Sequence, residues 1–258
     1  MSTWKEACDW VPKVAEGSRI LVVGASGGIG RALTTVLAES EGVVIGAHHG
    51  TTALPAELAA LPGVWPIQAT LSNDGDCRRL VDAFLKEAGR MDAIVVLCGG
   101  LLSQTHWLDL HESQWNADLT LNLSLPFFLA RAGFDAMREG GGRIVLTGTE
   151  SALHGGGAES FAYGISKMGT ECMVQGMARE GAKHGVLVNG VRLGFIDSGF
   201  HARWKGMAPE DIARRADMVP LRRPGSVWEV AALVAYLLSD WGAYITGQML
   251  PLTGGDWL

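Results

Sequence analysis

The sequence predicts an α/β fold in which a doubly wound parallel sheet of about seven strands carries helices on both faces. Short runs rich in valine, isoleucine and leucine alternate with longer segments of helical spacing. The runs are almost continuously apolar, which is typical of strands buried on both faces of a parallel sheet. No linker or change of composition divides the 258 residues, so we expect one principal domain.

The predicted strands follow one another at the spacing of βαβ units. They cover residues 19–25, 42–47, 64–69, 91–99, 142–149, 185–194 and 247–255. Pro66 favours an edge position for the third strand, because proline cannot donate to a central ladder. Three segments have clear helical patterns: residues 30–40, 76–89 and 159–185. This alternation predicts parallel strands joined by crossover helices.

Composition and charge exclude several classes of protein. Apolar residues make up 48% of the chain and charged residues 19%, as in compact globular domains. The formal net charge is −6 and no basic cluster occurs, so we expect no nucleic-acid partner. The longest apolar run, at 93–102, is too short to span a bilayer, so we expect no membrane association.

The N-terminus and the cysteines predict a cytoplasmic protein. Residues 1–17 lack the apolar run of a secretory signal, and we interpret them as an N-terminal extension of a domain that covers residues 18–258. The four cysteines lie far apart with no paired spacing: Cys8, Cys77, Cys98 and Cys172. That pattern suggests neither a disulfide framework nor a metal site, and small buried apolar residues in a reducing interior are the preferred interpretation.

A glycine-rich turn follows the first predicted strand, in the segment ILVVGASGGIGRAL (20–33). Gly24, Gly28 and Gly30 would let the backbone approach a pyrophosphate closely, and the helix that follows offers unpaired N–H groups and a positive dipole end. Ser26 could add a hydroxyl group to this cradle. A glycine triplet alone is a weak signal, but a strand before it and a helix after it favour a dinucleotide site.

The segment after the second strand bears on which dinucleotide binds. An NAD site usually places a carboxylate there, on the ribose hydroxyls. No acidic residue occurs from Val43 through Ala56, and His48 and His49 stand where the ribose is expected. Imidazoles can bind a 2′-phosphate, so NADP(H) is favoured weakly over NAD(H). The alternative is that both histidines lie in a solvated loop without any contact.

Tyr163 and Lys167 lie four residues apart in the predicted helix over 159–185, in the segment AYGISKMG. Residues at this spacing share one helix face, so the phenol and the ammonium project together. A free phenol has a pKa of about 10 and is a poor base at neutral pH. A neighbouring ammonium, and the positive nicotinamide of an oxidised cofactor, would both lower that pKa. The pair is a candidate for acid–base chemistry.

Over residues 18–258 the chain resembles the classical short-chain dehydrogenase/reductase family. The likeness rests on five stretches: GASGGIG (24–30), LNLSLPF (121–127), GRIVLTGT (142–149), YGISK (163–167) and the C-terminal segment 219–255. The resemblance implies a Rossmann-type domain and an NAD(P)-dependent oxidoreductase that interconverts a carbonyl and a secondary alcohol. It further implies a small, largely apolar or cyclic substrate and a homotetramer or homodimer.

The same resemblance assigns catalytic roles. Tyr163 would be the general acid or base, Lys167 would lower the tyrosine pKa and hold the cofactor ribose, and Asn122 would anchor a water that exchanges protons with Lys167. The usual position of the catalytic serine falls on Glu150, a poor substitute for a hydroxyl. Alignment on the strand places Thr149 there instead, and Ser151 is its rival.

The resemblance also implies cofactor contacts. These positions are Gly24, Ser26, Gly28, Ile29, Gly30, His48, His49, Thr70, Leu71, Gly99, Gly100, Tyr163, Lys167, Gly194, Ile196 and Ser198. Several depart from the family pattern. Thr70 stands where an aspartate is usual, and LCGG (97–100) replaces a stretch with two asparagines that brace the sheet.

A substrate lid is expected over residues 195–220. Four residues are candidates for contact with the substrate: Ser151, His154, Phe200 and Trp204. For His154 the alternative is a solvated loop residue. A second hypothesis for the whole chain is a nucleotide sensor without catalysis on the same fold, although the intact tyrosine–lysine pair argues against it.

Overall fold

The structure is a computed structural model that describes residues 12–256. The main sheet contains β1 (Arg19–Val23), β2 (Val44–His49), β3 (Val64–Gln68), β4 (Ala93–Val96), β5 (Gly142–Thr149), β6 (Val186–Leu193) and β9 (Met249–Leu252). Two short strands, β7 (Ile196–Asp197) and β8 (Gly225–Ser226), pair separately. The predicted set of seven strands is confirmed.

Helices connect the strands as expected for a doubly wound fold. They are α1 (Gly28–Leu37), α2 (Ala56–Ala59), α3 (Asp74–Ala88), α4 (Glu112–Leu119), α5 (Leu125–Met137), α6 (Phe161–Gly181), α7 (Phe200–Lys205), α8 (Pro209–Met218) and α9 (Val227–Leu238). A π-helical turn over Thr120–Ser124 joins α4 to α5.

The strand order is β3-β2-β1-β4-β5-β6-β9, and every pair is parallel. Chain order reverses between β1 and β4, so the carboxyl ends of these two strands flank the switch point where ligands bind in open α/β sheets. Strand β3 lies at the edge of the sheet, which confirms the edge position predicted from Pro66.

Two apolar cores cover the two faces of the sheet. Helices α1 and α9 pack on one face, where Leu33, Val36 and Val234 are buried. Helices α3, α5 and α6 pack on the other, around Phe84 and Leu129. Burial on both faces explains why the strands are nearly continuous apolar runs.

Helix α3 shows how local sequence sets element boundaries. The Asn73 side chain accepts a hydrogen bond from the Asp76 N–H at 3.1 Å and caps the N-terminus. Gly89 ends the helix in the left-handed region, with φ 78°. Helix α6 begins at Phe161 and extends over 21 residues, so the predicted helix over 159–185 is confirmed with slightly tighter bounds.

The predicted lid segment, residues 195–220, contains α7 and α8. Of the predicted N-terminal extension, residues 1–11 lie outside the described residues, whereas Val14 is buried in the apolar core that also contains Leu33 and Val36. Among the helices in the described range 12–256, none combines the length and the apolarity needed to cross a bilayer.

Candidate active site

A cleft of about 240 Å³ opens at the carboxyl edge of the sheet, beside the ends of β4, β5 and β6. It brings together ten of the residues predicted from the sequence: Ile29, Gly99, Thr149, Ser151, Tyr163, Lys167, Gly194, Ile196, Ser198 and Phe200. These residues come from five separate segments of the chain. Their convergence reflects the parallel topology, which gathers strand ends at one edge.

The other residues predicted from the sequence are not among the described residues that line this cleft. They are Gly24, Ser26, Gly28, Gly30, His48, His49, Thr70, Leu71, Gly100, Asn122, His154 and Trp204. Most of them follow β1, β2 or β3, on the other side of the switch point. The resemblance places the adenosine half of the dinucleotide on that side.

Tyr163 and Lys167 project from one face of α6 into the cleft. The Lys167 Nζ atom lies 5.9 Å from the centroid of the Tyr163 ring. Burial raises the pKa of Tyr163 to about 12, and the neighbouring Thr149 hydroxyl acts in the opposite direction. The phenol is therefore protonated at neutral pH and can serve as a proton donor. The predicted lowering of this pKa by Lys167 is wrong for this structure, because desolvation of the buried phenol outweighs the groups that would lower it.

Lys167 is almost fully buried, with a relative exposure of 4%. Its Nζ donates a hydrogen bond of 2.9 Å to the Thr147 carbonyl oxygen on β5. Desolvation by burial lowers the pKa of Lys167 to about 8, so the ammonium form still prevails at pH 7. A cation held beside the phenol favours the phenolate form during proton transfer.

Asn122 fixes the chain directly after β4. Its Nδ2 donates to the Gly100 carbonyl oxygen at 2.8 Å, and its Oδ1 accepts from the Gly100 N–H at 3.0 Å. A Cβ on Gly99 would lie 3.0 Å from Asn122 Oδ1 and 3.1 Å from Lys167 Nζ. Asn122 is thus close to Lys167, and the π-helical turn supplies the bracing amide that the segment LCGG lacks.

Two hydroxyl groups stand near the phenol. Thr149 ends β5, and its Oγ1 lies 3.3 Å from Ser151 Oγ and 3.3 Å from the Leu193 carbonyl oxygen. Both hydroxyls line the cleft. Thr149 is the one that affects the Tyr163 pKa, which favours it as the hydroxyl beside the reacting oxygen.

The glycine-rich turn fits a pyrophosphate. A Cβ on Gly30 would lie 2.2 Å from the Gly24 carbonyl oxygen, and one on Gly28 would lie 2.6 Å from the Ser198 carbonyl oxygen. The first turn of α1 contains no acidic residue, and within the described residues no side chain caps its N-terminus. Free N–H groups at a helix N-terminus beside a backbone without side chains form an anion cradle.

His48 and His49 end β2 and are buried, so the alternative of a solvated loop is wrong for both. His48 Nδ1 lies 3.3 Å from the Gly24 nitrogen, and its Nε2 lies 3.1 Å from the Ala69 carbonyl oxygen. Burial lowers the pKa of His48, so the ring is neutral, with the proton on Nε2 facing the carbonyl. His48 therefore ties together the chain after β1 and β3, and His49 remains the better candidate for a ribose contact.

Arg31 is a residue that the sequence argument missed. Its Nε donates to the Ser26 carbonyl oxygen at 2.8 Å, which places an exposed guanidinium beside the glycine-rich turn. Its position directly after the third glycine is the sequence feature that could have identified it as a candidate cofactor contact. The cation lies on the side expected for the adenosine half of the cofactor.

The lid residues divide between the cleft and its outer wall. Phe200 lines the cleft with its ring centroid 6.0 Å from that of Tyr163. Trp204 packs over Gly100, where a Cβ would meet the indole at 2.7 Å. His154 is exposed at the end of a 3-10 turn. The cleft also contains residues not anticipated from the sequence: Cys98, Asp256 and, from the predicted lid segment, Phe195, His201, Lys205 and Arg215.

The prediction that the cysteines are buried holds for only some of them. Cys77 is fully buried, as expected, and burial raises the pKa of its thiol to about 12. Cys172 is exposed on α6, so the interpretation as a buried apolar residue is wrong there. Cys8 lies outside the described residues.

Comparison with known proteins agrees with this geometry. Residues 24–256 match the family model described as enoyl-(acyl carrier protein) reductase. The acetoacetyl-CoA reductase of Allochromatium vinosum is 30% identical over 91% of this chain and 96% of its own length. The 3-oxoacyl-[acyl-carrier-protein] reductase FabG of Escherichia coli is 31% identical over 94% of this chain and 98% of its own length.

Solved structures give the same result. A putative short-chain alcohol dehydrogenase from Sinorhizobium meliloti superimposes with a TM-score of 0.85 at 28% identity, over 94% of this chain and 97% of that one. A short-chain dehydrogenase/reductase from Serratia marcescens gives a TM-score of 0.83 at 25% identity, over 93% and 98%. Fold, motifs and relatives agree: the chain is an NAD(P)-dependent oxidoreductase that belongs to the short-chain dehydrogenase/reductase family.

Proposed function

We propose that this oxidoreductase reduces the carbonyl group of a small substrate to a secondary alcohol, with Tyr163 as the general acid. The observation that carries the proposal is the meeting of Tyr163, Lys167 and Thr149 in one cleft at the carboxyl edge of the sheet. Two relatives, an acetoacetyl-CoA reductase and a 3-oxoacyl-[acyl-carrier-protein] reductase, are named for reduction, which supports this direction.

The proton step follows from the environment of the phenol. With a pKa of about 12, Tyr163 holds its proton at neutral pH until a substrate oxygen beside it gains negative charge. Thr149 donates a hydrogen bond to the same oxygen, polarises the carbonyl and aligns it with the phenol. The Lys167 ammonium then stabilises the phenolate left behind.

The chain supplies two kinds of contact for the dinucleotide. The N-terminus of α1 and the glycine-rich turn would hold the pyrophosphate, while Lys167 and the segment Gly194–Ser198 would hold the half that carries the nicotinamide. When bound, the nicotinamide supplies the hydride for the substrate carbon. Asn122 positions this end of the site by holding Gly100.

We further propose that NADP(H) is preferred to NAD(H). The segment after β2 has no carboxylate to repel a 2′-phosphate, and Arg31 provides a cation beside the glycine-rich turn. Separate titrations with NADPH and NADH, followed by quenching of tryptophan fluorescence, test this preference. We expect Arg31→Gln to weaken NADPH binding more than NADH binding. Tighter binding of NADH to the unaltered protein would contradict the preference.

Activity is tested by the loss of absorbance of the reduced nicotinamide with cyclic ketones, aromatic ketones and 3-oxoacyl thioesters. Tyr163→Phe should lower kcat by about 10²- to 10⁴-fold, the range for loss of a general acid, while cofactor affinity stays within a factor of three. Tyr244→Phe is the matched control, because Tyr244 is fully exposed. Turnover by Tyr163→Phe at the rate of the unaltered protein would exclude the proposed role.

We also propose that the protein assembles as a homotetramer or homodimer through α6 and the β9 edge. Ile165 and Met168 are exposed on α6, and Trp241 is exposed in the segment that leads to β9. Exposed large apolar groups of this kind mark subunit contacts. Light scattering on the purified protein measures the assembly, and a monomer at micromolar concentration would contradict it.

A further inference from the structure

A cationic wall occupies the lid side of the cleft. Lys205 ends α7 and Arg215 lies on α8, and both line the cleft with Tyr163. Arg215 forms an ion pair with Asp256 through one terminal nitrogen, Nη2. Its other terminal nitrogen, Nη1, is buried and has no hydrogen-bond partner among the described residues.

The balance of charge at this wall is positive. Asp256 neutralises one of the two cations, and Lys205 has no ion pair within residues 12–256. Burial, followed by the charges of Lys205 and Arg215, lowers the pKa of His201 to about 4, so that imidazole is neutral and adds no charge. Among residues 12–256, the cleft wall holds one other carboxylate, Glu150, and it is paired with Arg192.

The guanidinium is held in a defined orientation. The Cζ atom of Arg215 lies 5.3 Å from the centroid of the Phe195 ring, and the Asp256 pair fixes its other side. A buried donor without a partner is costly, and native proteins rarely keep one unless a water, an ion or a ligand satisfies it. A planar guanidinium with a free N–H beside an ammonium is suited to a carboxylate.

We propose that the substrate is a small oxo acid whose carboxylate binds Arg215 Nη1 and the Lys205 ammonium while its carbonyl oxygen faces Tyr163. The cleft of about 240 Å³ has room for a small molecule between these two ends. Two anchors at opposite ends of one substrate would orient its carbonyl carbon. This inference rests on the proposed carbonyl reduction for its chemistry, whereas binding of the carboxylate stands by itself.

The test compares oxo acids of four to seven carbons with their methyl esters, which are neutral but otherwise alike. We expect the unaltered protein to give a kcat/KM at least tenfold higher for the best acid than for its ester. Lys205→Gln, and the double variant Arg215→Gln/Asp256→Asn, should each lower that ratio by about tenfold or more, the loss expected for a charge-assisted hydrogen bond. The double variant avoids leaving an unpaired carboxylate in the cleft.

Arg214→Gln is the matched control, because Arg214 precedes Arg215 on α8, is exposed and pairs with Asp211. Its acid-to-ester ratio should stay within a factor of two of the unaltered value. An ester preferred to its acid, or a ratio unchanged in both cleft variants, would overturn the carboxylate site. A ratio that falls equally in Arg214→Gln would also overturn it, because general surface charge would then explain the preference.

Calorimetry separates this inference from the proposed reaction. 4-Oxopentanoate and its methyl ester are titrated into the protein saturated with oxidised cofactor, where no reduction can occur. Tighter binding of the acid, lost in Lys205→Gln, supports the carboxylate site even if every compound fails as a substrate. Equal binding of acid and ester, or binding of neither, overturns the site even if some ketone is reduced.

Discussion

Arg192 donates a hydrogen bond from Nε to the Glu150 carboxylate at 2.8 Å, and this ion pair fixes the Glu150 side chain at the wall of the cleft. Arg192 also bonds Glu171 at 3.3 Å, so the guanidinium holds two largely buried acids. A carboxylate committed to an ion pair accepts hydrogen bonds and cannot donate one to a substrate oxygen. Glu150 occupies the usual spacing before the tyrosine but is unsuited to the hydroxyl role, so Thr149 and Ser151 stay the candidates for it.

Replacement of each hydroxyl tests which one acts. Thr149→Val keeps the β-branched shape at the end of β5 and removes the hydroxyl that affects the Tyr163 pKa. We expect kcat to fall by about 10²-fold, as for loss of one donor to a developing oxyanion. Ser151→Ala should cost less than tenfold. Steady-state rates with the best carbonyl substrate measure both, and the reverse order would assign the role to Ser151.

The buried ammonium of Lys167 makes stability depend on pH. Its pKa is about 8 in the folded protein against an ordinary value of 10.5, so between these values the unfolded chain binds more protons. Stability contributed by this group therefore rises with pH, and the linkage relation gives a gain of about 2 kcal/mol between pH 7.5 and 9.5. Below pH 7.5 the cost of burying the charge is fully present.

The Lys167→Met variant isolates this effect. Urea unfolding of both proteins at pH 7.5, 8.5 and 9.5 gives the free energy of unfolding for each. We expect the free energy of unfolding of the unaltered protein to increase relative to that of the variant as pH rises, because methionine has no proton to lose. A difference that is constant with pH would mean that Lys167 titrates alike in the folded and unfolded states.

The fold could be predicted from the sequence because its strands are buried on both faces. Runs such as RILVV in β1 and AIVV in β4 leave little alternative to a parallel sheet. The predicted end of the second strand was too early. Strand β2 continues through His48 and His49, because backbone groups of Gly24, Gly50 and Ala69 satisfy the buried rings. Polar residues in a strand are hard to predict when their partners come from elsewhere in the chain.

The site was predictable where motifs fix it and unpredictable where tertiary contacts do. Tyr163 and Lys167 follow from their spacing on one helix, and Thr149 follows from the resemblance of its strand to the family pattern. Arg215 and Asp256 are 41 residues apart, and nothing in either local pattern indicates that they pair. The apolar periodicity of residues 195–220 can indicate helices. It cannot indicate which charged side chains face the cleft, because tertiary packing decides that.

Asn122 should matter for stability as well as for activity. Asn122→Ala removes two hydrogen bonds to Gly100 and one of 3.0 Å to the Asp118 carbonyl oxygen, all buried. We expect the free energy of unfolding to fall by about 2–4 kcal/mol, because the groups left behind are desolvated and unpaired. Asn116→Ala is the control on the exposed face of α4 and should change it by less than about 0.5 kcal/mol. Chemical denaturation measures both, and equal effects would contradict the bracing role.

The glycine-rich turn should tolerate no added methyl group at Gly30. A Cβ there would lie 2.2 Å from the Gly24 carbonyl oxygen and 2.7 Å from the Ala25 Cα, so the turn and α1 must separate. Gly30→Ala should therefore destabilise the protein by about 1–3 kcal/mol, as overpacking does. It should also weaken binding of the reduced dinucleotide at least tenfold, since the N–H groups of the cradle move apart.

Gly176→Ala is the matched control for this change. Gly176 lies inside α6, and a Cβ there meets nothing within 4 Å. The substitution should raise the free energy of unfolding by about 0.5–1 kcal/mol through helix propensity and leave cofactor affinity unchanged. Thermal unfolding and fluorescence titration measure the two effects on each variant. If Gly30→Ala bound the dinucleotide as tightly as Gly176→Ala, close packing at this turn would not be what shapes the pyrophosphate cradle.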